Sequence, residues 1–396
     1  MPKPLGQVKV LDLTRVLAGP YCTMLLKELG AEIIKVEVPM IGDDARHFGP
    51  FKNNKSLYFM SINHGKESIS INLKTEQGKR ILRELVQQVD VLVENFRPGT
   101  MEKLGLGYEL LKELNPRLIY AASSGFGHTG PDSQKPAYDM LVQAMGGIIS
   151  ITGWPDSPPT RVGMSIGDIT ASLFTAIGIC SALYQREHTG QGQKIDVGML
   201  DCQVAILENA LVRYQVDGVP PKPLGNRHPT ITPFQAFKAK DDYIVIPVGN
   251  DNLWKIFCQA IGREDLIEHE QFLTNKLRTE HLETLIPLLE AEIIKKTVAE
   301  WSDIFERVGL PHSPINTIDK VMTNRQILAR NMIVEIEDKD VGAIKIAGNP
   351  IKMTSIEEET TRKPAPEIGE HTDKILKTFL GYSDEQIAEL RQEGVI

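Results

Sequence analysis

Short apolar runs alternate with amphipathic stretches through the first half of the chain, the pattern that βαβ units leave when helices cover a sheet. Residues 8–13 read as the first strand and Thr14-Arg15-Val16-Leu17-Ala18-Gly19 as the turn after it. Pro20 suits a first helical position, where its missing N–H is no loss, and Gly30 closes the helix before a second strand at 32–37. Further strands are predicted at 68–73, 89–96 and 118–123, and helices at 76–88, 108–114, 139–145, 169–185 and 200–216. The fold class is therefore α/β.

The pattern changes after residue 217. Pro220, Pro221, Pro223, Pro229 and Pro233 crowd the stretch 218–233, which reads as a stiff, extended connector at a domain boundary. Beyond it, 235–248 resembles a hairpin turning at Lys240-Asp241-Asp242, and 252–308 a helical block. A second hairpin is predicted from 332–336 and 343–346 around Asp340-Val341-Gly342, ahead of a charged, helical end. No repeat of solenoid period is present.

At 396 residues the chain is long enough for roughly two to three domains. With 41% hydrophobic and 24% charged residues it has the composition of a folded, water-soluble protein. Its 44 basic and 52 acidic residues, net −8, argue against a nucleic-acid coat or a polybasic membrane anchor, so an anionic ligand needs a local basic patch. The uncharged stretch 169–185 is shorter than the ~20 apolar residues of a membrane span and reads as a buried helix. Residues 1–6 lack the basic-then-apolar layout of a signal peptide, and Cys22, Cys180, Cys202 and Cys258 form no CxxC pair. A reducing cytoplasm with free, buried thiols is the expectation.

The nine histidines form no HxxxH or HExxH pair, so no metal is expected. No GxxxxGK[ST] loop is present and the turn at 14–19 lacks GxGxxG, which removes the sequence support for P-loop chemistry and for a dinucleotide site of the usual kind at that turn. Asp168 follows Gly167 and precedes the uncharged helix, the position of an N-cap. The same geometry also suits a fixed carboxylate nucleophile whose developing charge the helix end stabilises. Asn95-Phe96-Arg97-Pro98-Gly99 lies at the carboxyl edge of a predicted strand and fits either a simple turn or a nucleotide contact. Lys74, Lys103 and Arg46 fit phosphate contacts or solvated surface charges; Tyr138-Asp139 and Gly249-Asn250 pass as turn residues.

Read in order, these segments resemble the class III (CaiB/BaiF-type) acyl-CoA transferases, the family of formyl-CoA transferase and carnitine CoA-transferase. The likeness is carried by Val10-Leu11-Asp12-Leu13-Thr14-Arg15, Leu17-Ala18-Gly19-Pro20, Glu94-Asn95-Phe96-Arg97-Pro98-Gly99 and Gly125-Phe126-Gly127 with Thr129-Gly130-Pro131. It continues through Gly167-Asp168, Thr189-Gly190-Gln191-Gly192-Gln193, Gly225-Asn226-Arg227-His228-Pro229, Asn349-Pro350-Ile351 and Gly369-Glu370-His371-Thr372. The resemblance implies a Rossmann-like large domain built from both chain ends (1–217 and 326–396), the connector 218–233, a smaller central α+β domain (234–325), and an interlocked homodimer. It also implies transfer of CoA from an acyl-CoA to a free carboxylic acid through aspartyl anhydride and aspartyl-CoA thioester intermediates on Asp168, with no metal or redox cofactor.

Matched position by position, Val16, Ala18, Leu73, Lys74, Asn95, Phe96, Arg97 and Lys103 correspond to CoA-contacting residues. Leu17, Tyr138, Gly249 and Asn250 correspond to the pocket for the reacting acid. Leu17 stands where the formyl-CoA transferase pattern has glutamine, which argues against an oxalate or formate pair. Val38 stands where that pattern has arginine, and Val248-Gly249-Asn250 replaces a run of glycines, which bears on whether this loop acts as a lid. The rival readings are a 2-methylacyl-CoA racemase, whose catalytic histidine aligns with Tyr138, and a non-catalytic CoA-binding protein. A tyrosine, with an ordinary pKa of ~10, is a poor base at neutral pH.

Overall fold

The computed structural model describes residues 3–396. Its central element is a six-stranded parallel sheet of β1 (Lys9–Asp12), β2 (Glu32–Glu37), β3 (Glu67–Ser70), β4 (Val91–Glu94), β5 (Ile119–Ser124) and β6 (Lys194–Gly198). The strand order is 3-2-1-4-5-6. That order belongs to doubly wound nucleotide-binding sheets; it reverses between β1 and β4, and ligands of such sheets bind in the crevice beyond the carboxyl ends at that point.

Both faces of this sheet are covered, so apolar residues on both sides of a strand are buried, as Val91, Leu92 and Val93 of β4 are. Neighbouring residues enter different cores. Leu11, Ile34 and Leu92 pack with Ile81, Leu82 and Leu85 of the helix Glu76–Val86 and with Ile375 and Leu376 near the carboxyl end of the chain. Val10, Ile33 and Val91 pack on the opposite face with Cys22 and Leu26 of helix α1 (Ala18–Glu28) and Ile179, Ala182 and Leu183 of helix α2 (Ile166–Thr189). The returning carboxyl-terminal segment is stitched to the edge strand: His371 N–H donates to Ser68 O, and Ser70 N–H to Thr372 Oγ1.

The chain forms two compact units. The first comprises Met1–Ile148, Val162–Val212 and Arg325–Ile396, and the second Ile149–Arg161 and Arg213–Asn324. The second has its own three-stranded sheet, Phe234–Lys238, Tyr243–Pro247 and Ser313–Pro314, and a core that includes Phe237, Trp254, Phe257, Trp301 and Phe305. The predicted hairpin there turns as expected, Ala239 N–H donating to Asp242 O. Residues 218–233 carry no helix or strand.

Two helix expectations need correction. The stretch 200–216 is not one helix but two, Met199–Ala205 and Ala210–Asp217, because Glu208 takes a left-handed φ of 55° that an α-helix cannot accommodate. The predicted buried helix 169–185 extends to 24 residues as α2, ending where Gly190 adopts the left-handed cap. Only one side of it is buried: Leu173, Phe174, Ile177 and Tyr184 are exposed. By length and composition this helix is apolar enough to cross a membrane, but half of its most apolar window is buried inside the fold. The four cysteines are free; burial pushes the Cys202 thiol up to about 11 and Cys258 to about 12, so both stay protonated and unreactive.

Beneath the turn from β1 to α1 lies a set of charges fully shut off from water. Lys66 Nζ sits 3.1 Å from Asp12 Oδ2 and also donates to Pro20 O, Thr23 Oγ1 and Asn63 Oδ1. Lys35 Nζ pairs with Asp43 Oδ2 at 2.8 Å and donates to Thr14 O. Burial alone would raise the Asp12 carboxyl, but Lys66, then Lys35, then the Thr14 and Thr23 hydroxyls overrule it and hold it far below the usual carboxylate range. Deleting one partner of such a pair strands the other. Lys66→Met is therefore expected to lose about 3–5 kcal/mol of stability in urea unfolding. Asp12→Asn/Lys66→Met should lose clearly less than the two single substitutions summed; additivity would show that the two groups do not act as a pair.

Candidate active site

Asp168 lies at the third position of α2, not at the cap; the cap residue is Ser165, whose side chain makes no capping bond. The expected capping role belongs instead to Asp139, from the first turn of the helix Asp139–Met145. Its Oδ1 accepts the Gly167 N–H at 2.8 Å while Oδ2 accepts from Gln143 Nε2. This approach requires glycine at 167, since a Cβ there would stand 2.7 Å from Val142 Cγ2 and 3.1 Å from Asp139 Oδ1. The Gly-Asp pair noticed in the sequence thus has a packing cause: the glycine admits a capping carboxylate from another helix and leaves the next carboxylate unengaged.

The Asp168 side chain is half-buried, and no donor among the described residues hydrogen-bonds its carboxylate. Burial first, and then the neighbouring Asp139 charge, push it up to about 7. Near neutrality it therefore exchanges readily between carboxylic acid and carboxylate, and as a carboxylate it is weakly solvated, which favours nucleophilic attack. Tyr58, in the helix Leu57–Asn63, was not singled out by the sequence, where it reads as one residue of an apolar run. Burial, then the charges of Asp168 and Asp43, push its phenol up to about 12, so it remains a donor.

The β1–α1 turn is the second part of the site. Val16 holds a φ of 68°, a left-handed conformation that costs a β-branched residue on the order of 1–3 kcal/mol. Its N–H donates to Asp43 Oδ1 at 3.0 Å. Both Arg15 backbone groups are taken by Asn95, whose Oδ1 accepts from Arg15 N–H at 2.9 Å and whose Nδ2 donates to Arg15 O at 2.8 Å. Gly19 lets the turn close on itself, a Cβ there falling 2.2 Å from Thr14 Cβ. Ser172, one turn along α2 from Asp168, brings its Oγ to 2.5 Å from Ala18 O and 2.7 Å from Asp168 O, joining the turn to the helix that carries the aspartate.

A cavity of about 230 Å3 opens at the carboxyl ends of β1 to β4, where the strand order reverses. Leu73, Lys74 and Phe96 line it, as does Val38. Phe96 is held by its neighbour Glu94, whose Oε2 accepts the Phe96 N–H at 2.7 Å, and the Arg15 guanidinium lies 5.9 Å from the Phe96 ring centre. Burial lifts the Glu94 carboxyl to about 7 against the hydrogen bonds from Phe96 N–H and Tyr120 OH. An apolar floor, an aromatic ring and a rim of Arg15 and Lys74 suit a purine with attached phosphates.

Of the other residues singled out in the sequence, Leu17 and Ala18 are buried in the turn, Arg97 and Lys103 are exposed beside the cavity-lining Phe96 and Leu104, and Tyr138 is exposed immediately before Asp139. Asn95 is occupied by the Arg15 backbone. Gly249 and Asn250 belong to the second unit, where Asn250 Oδ1 caps the helix Asp251–Ala260 through Leu253 N–H and the fully buried Arg278 pairs with Asp251 at 2.7 Å. Among the described residues no group of three His, Cys, Asp or Glu side chains is gathered as a metal ion requires.

With this geometry in view, the likenesses to known proteins become informative. The model of CoA-transferase family III matches residues 5–372. The chain is 44% identical to an acetyl-CoA:oxalate CoA-transferase of Acetobacter aceti over 95% of this chain and 96% of that one. It is 40% identical to the succinyl-CoA:glutarate CoA-transferase of Mus musculus over 100% and 90% of the respective chains. A CaiB/BaiF family protein from Brucella suis superposes with a TM-score of 0.83 at 37% identity, covering 96% of this chain and all of the other.

The electrostatics of Asp168 have a measurable consequence. A carboxyl whose folded pKa stands near 7, against about 4 when unfolded, binds more protons in the folded state between those pH values, so stability falls with rising pH across that window. The melting temperature of Asp168→Asn should rise relative to the parent protein from pH 4 to 7 and keep a constant lead above it. Asp139→Asn retains the acceptor for Gly167 but removes the charge, and should lower the Asp168 pKa seen by carbon NMR of aspartate-labelled protein; an unchanged value would mean that burial alone sets it.

Proposed function

The chain belongs to CoA-transferase family III, and from that premise we propose that it moves CoA from an acyl-CoA donor to a free dicarboxylic acid, with Asp168 as the covalent nucleophile. The observation that carries this reading is the Asp168 carboxylate itself, half-buried in the first turn of α2 and spared the capping role by Asp139. The relatives named above each pair an acyl-CoA with a dicarboxylic acid, oxalate or glutarate, which supports the substrate class.

In the proposed sequence, the Asp168 carboxylate attacks the donor thioester carbonyl and expels the CoA thiolate, leaving a mixed anhydride. The thiolate attacks the aspartyl carbonyl of that anhydride and releases the donor acid, so CoA is now held as an aspartyl thioester. The acceptor carboxylate displaces the thiolate to form a second anhydride. Attack of the thiolate on the acceptor's acyl carbon then gives the new acyl-CoA and frees Asp168. Every bond broken is matched by one formed, and each step is acyl transfer between oxygen and sulfur. The positive end of α2 lies close to the oxygen on which charge develops. The cavity at the carboxyl ends of β1 to β4 receives the nucleotide of CoA, with Phe96 against the base and Lys74, Lys103 and Arg97 near the phosphates; Leu17 and Tyr138 shape the acid pocket.

Leu17, in place of a glutamine, weighs against oxalate, whereas the 44% likeness to an oxalate enzyme weighs for it. A screen of acetyl-, succinyl- and formyl-CoA against oxalate, glutarate and other dicarboxylates decides between them. Asp168→Asn is expected to retain the fold and abolish transfer. Hydroxylamine trapping during turnover should modify Asp168 in the parent protein; full transfer by the asparagine variant would defeat the assignment.

The working particle in this reading is an interlocked homodimer in the cytoplasm. The exposed apolar side of α2, with Leu173, Phe174, Ile177 and Tyr184, supports a second copy as the surface that covers it. Light scattering should give about twice the 44.1 kDa chain mass at micromolar concentration. A stable, folded monomer would contradict this, since obligate dimers often lack one.

A further inference from the structure

The β1–α1 turn is short of glycine where its backbone most needs it. Val16 is β-branched and left-handed at φ 68°, so the conformation persists only if its surroundings impose it. Three side chains do so, each from a different part of the sheet's carboxyl edge. Lys35 of β2 donates to Thr14 O, Asn95 after β4 takes both backbone groups of Arg15, and Asp43 accepts the Val16 N–H.

Asp43 has the most demanding position of the three. One of its oxygens, Oδ1, accepts from both Val16 N–H and Ala45 N–H, at 3.0 and 2.9 Å. The other faces Lys35 Nζ at 2.8 Å. Its own N–H donates to Glu37 Oε2, which in turn receives the Arg46 guanidinium. Asp43 is therefore a buried carboxylate whose orientation is determined from both sides, and its contact with the turn is a single hydrogen bond to the strained residue. Two residues further along, Ala18 O meets Ser172 Oγ on the helix that carries Asp168. Asp43 also lines the cavity shared with Phe96.

We propose that Asp43 is a positioning residue for the transfer reaction: by holding the Val16 N–H it keeps the left-handed turn that sets Leu17 and Ala18 against the helix bearing Asp168. Asp43 does not touch the reacting atoms. Its action passes through the Val16 peptide, so what matters is the acceptor oxygen, and its negative charge serves to balance Lys35. The proposal rests on the transfer reading only for its kinetic consequence; the statement about the turn stands on the backbone alone.

Two paired variants separate the acceptor from the charge. Asp43→Asn/Lys35→Met removes both charges, leaves Asp12 with Lys66, and preserves an oxygen for Val16. Asp43→Leu/Lys35→Met removes the oxygen as well. Both variants lose the Lys35 bond to Thr14 O, so hydrogen–deuterium exchange at the Val16 amide is compared between them and should be on the order of 10- to 100-fold faster in the second, the factor a hydrogen bond to a buried acceptor carries. The turnover number should follow the same split, standing about 100-fold lower in the leucine variant than in the asparagine variant, as misplacement of a site element by about 1 Å does.

Adding Val16→Gly to the leucine variant should recover transfer to within about tenfold of the asparagine variant, because glycine holds a positive φ without an anchor. Asp43→Ser, with Lys35 kept and Asp12 as its remaining counter-charge, replaces the leucine variant if that one does not fold, the serine hydroxyl being too short to reach Val16. Equal exchange and equal turnover in the two paired variants would overturn the proposal. So would a leucine variant that Val16→Gly fails to rescue, since Asp43 would then act through the turn at Asp44–His47. If the parent protein itself transfers no CoA from any donor, the functional reading fails, while the exchange measurement still decides the role of Asp43.

Discussion

Four charged side chains that never meet water, Asp12, Lys35, Asp43 and Lys66, hold the rest of this structure in place. They come from β1, β2, the loop after β2 and the residue before β3, and their hydrogen bonds reach Thr14, Val16, Pro20 and Thr23 along the β1–α1 turn and the start of α1. Buried ion pairs are seldom efficient stabilisers, because taking each ion out of water costs several kcal/mol. Their value lies in geometry: a buried ammonium with four oxygen partners, as Lys66 has, tolerates almost no displacement of any of them. The strands, the helix start and the strained turn are thus locked to one another at the point where the sheet opens to ligand.

The contrast between Asp12 and Asp168 shows how one residue type is put to opposite uses. Both are withdrawn from solvent, and burial raises both. Asp12 is surrounded by two ammonium groups and two hydroxyls, which return it to a firmly ionised state. Asp168 has only another carboxylate for company and moves up to about 7. The first is an inert structural anion; the second is poised between protonation states, as groups that do chemistry often are. Asp139 links these roles, because the same side chain caps α2 and raises its neighbour. Capping by a residue from another helix is what releases Asp168 from the local hydrogen bonding that an aspartate at a helix start otherwise adopts.

Much of the parallel sheet was legible along the chain, since its strands leave short clusters of apolar residues such as Val91-Leu92-Val93 between amphipathic helical stretches. Residues 32–37, 108–114 and 139–145 coincide with elements of the structure to the residue. The misreadings all concern helices: one is Asp168, which stands at the third position of α2 and not at its cap, and two concern helix extent. Glu208 breaks the stretch 200–216 with a left-handed backbone that its side chain gives no sign of, and α2 runs past its uncharged centre because Arg186 and His188 continue the helix to Gly190. In the candidate site, Asp168 and Phe96 lie in motifs legible along the chain, whereas Lys74 was reached only through the family resemblance. Tyr58 and Asp43 were not legible, for each acts through space on residues far away in sequence.

Local sequence by itself determined the alternation of strand and helix, the position of the β1–α1 turn and the presence of a glycine-aspartate pair at the start of a long apolar helix, because these depend on backbone propensity and on which side chains avoid water. Only the tertiary structure decided which aspartate caps and which is left unengaged, which lysine neutralises which carboxylate, and that a valine stands left-handed at the site. Those outcomes depend on distances between residues separated by tens of positions. Electrostatic and hydrogen-bond energies vary with such distances and with exclusion of water, and neither quantity exists until the sheet has brought its carboxyl edge together.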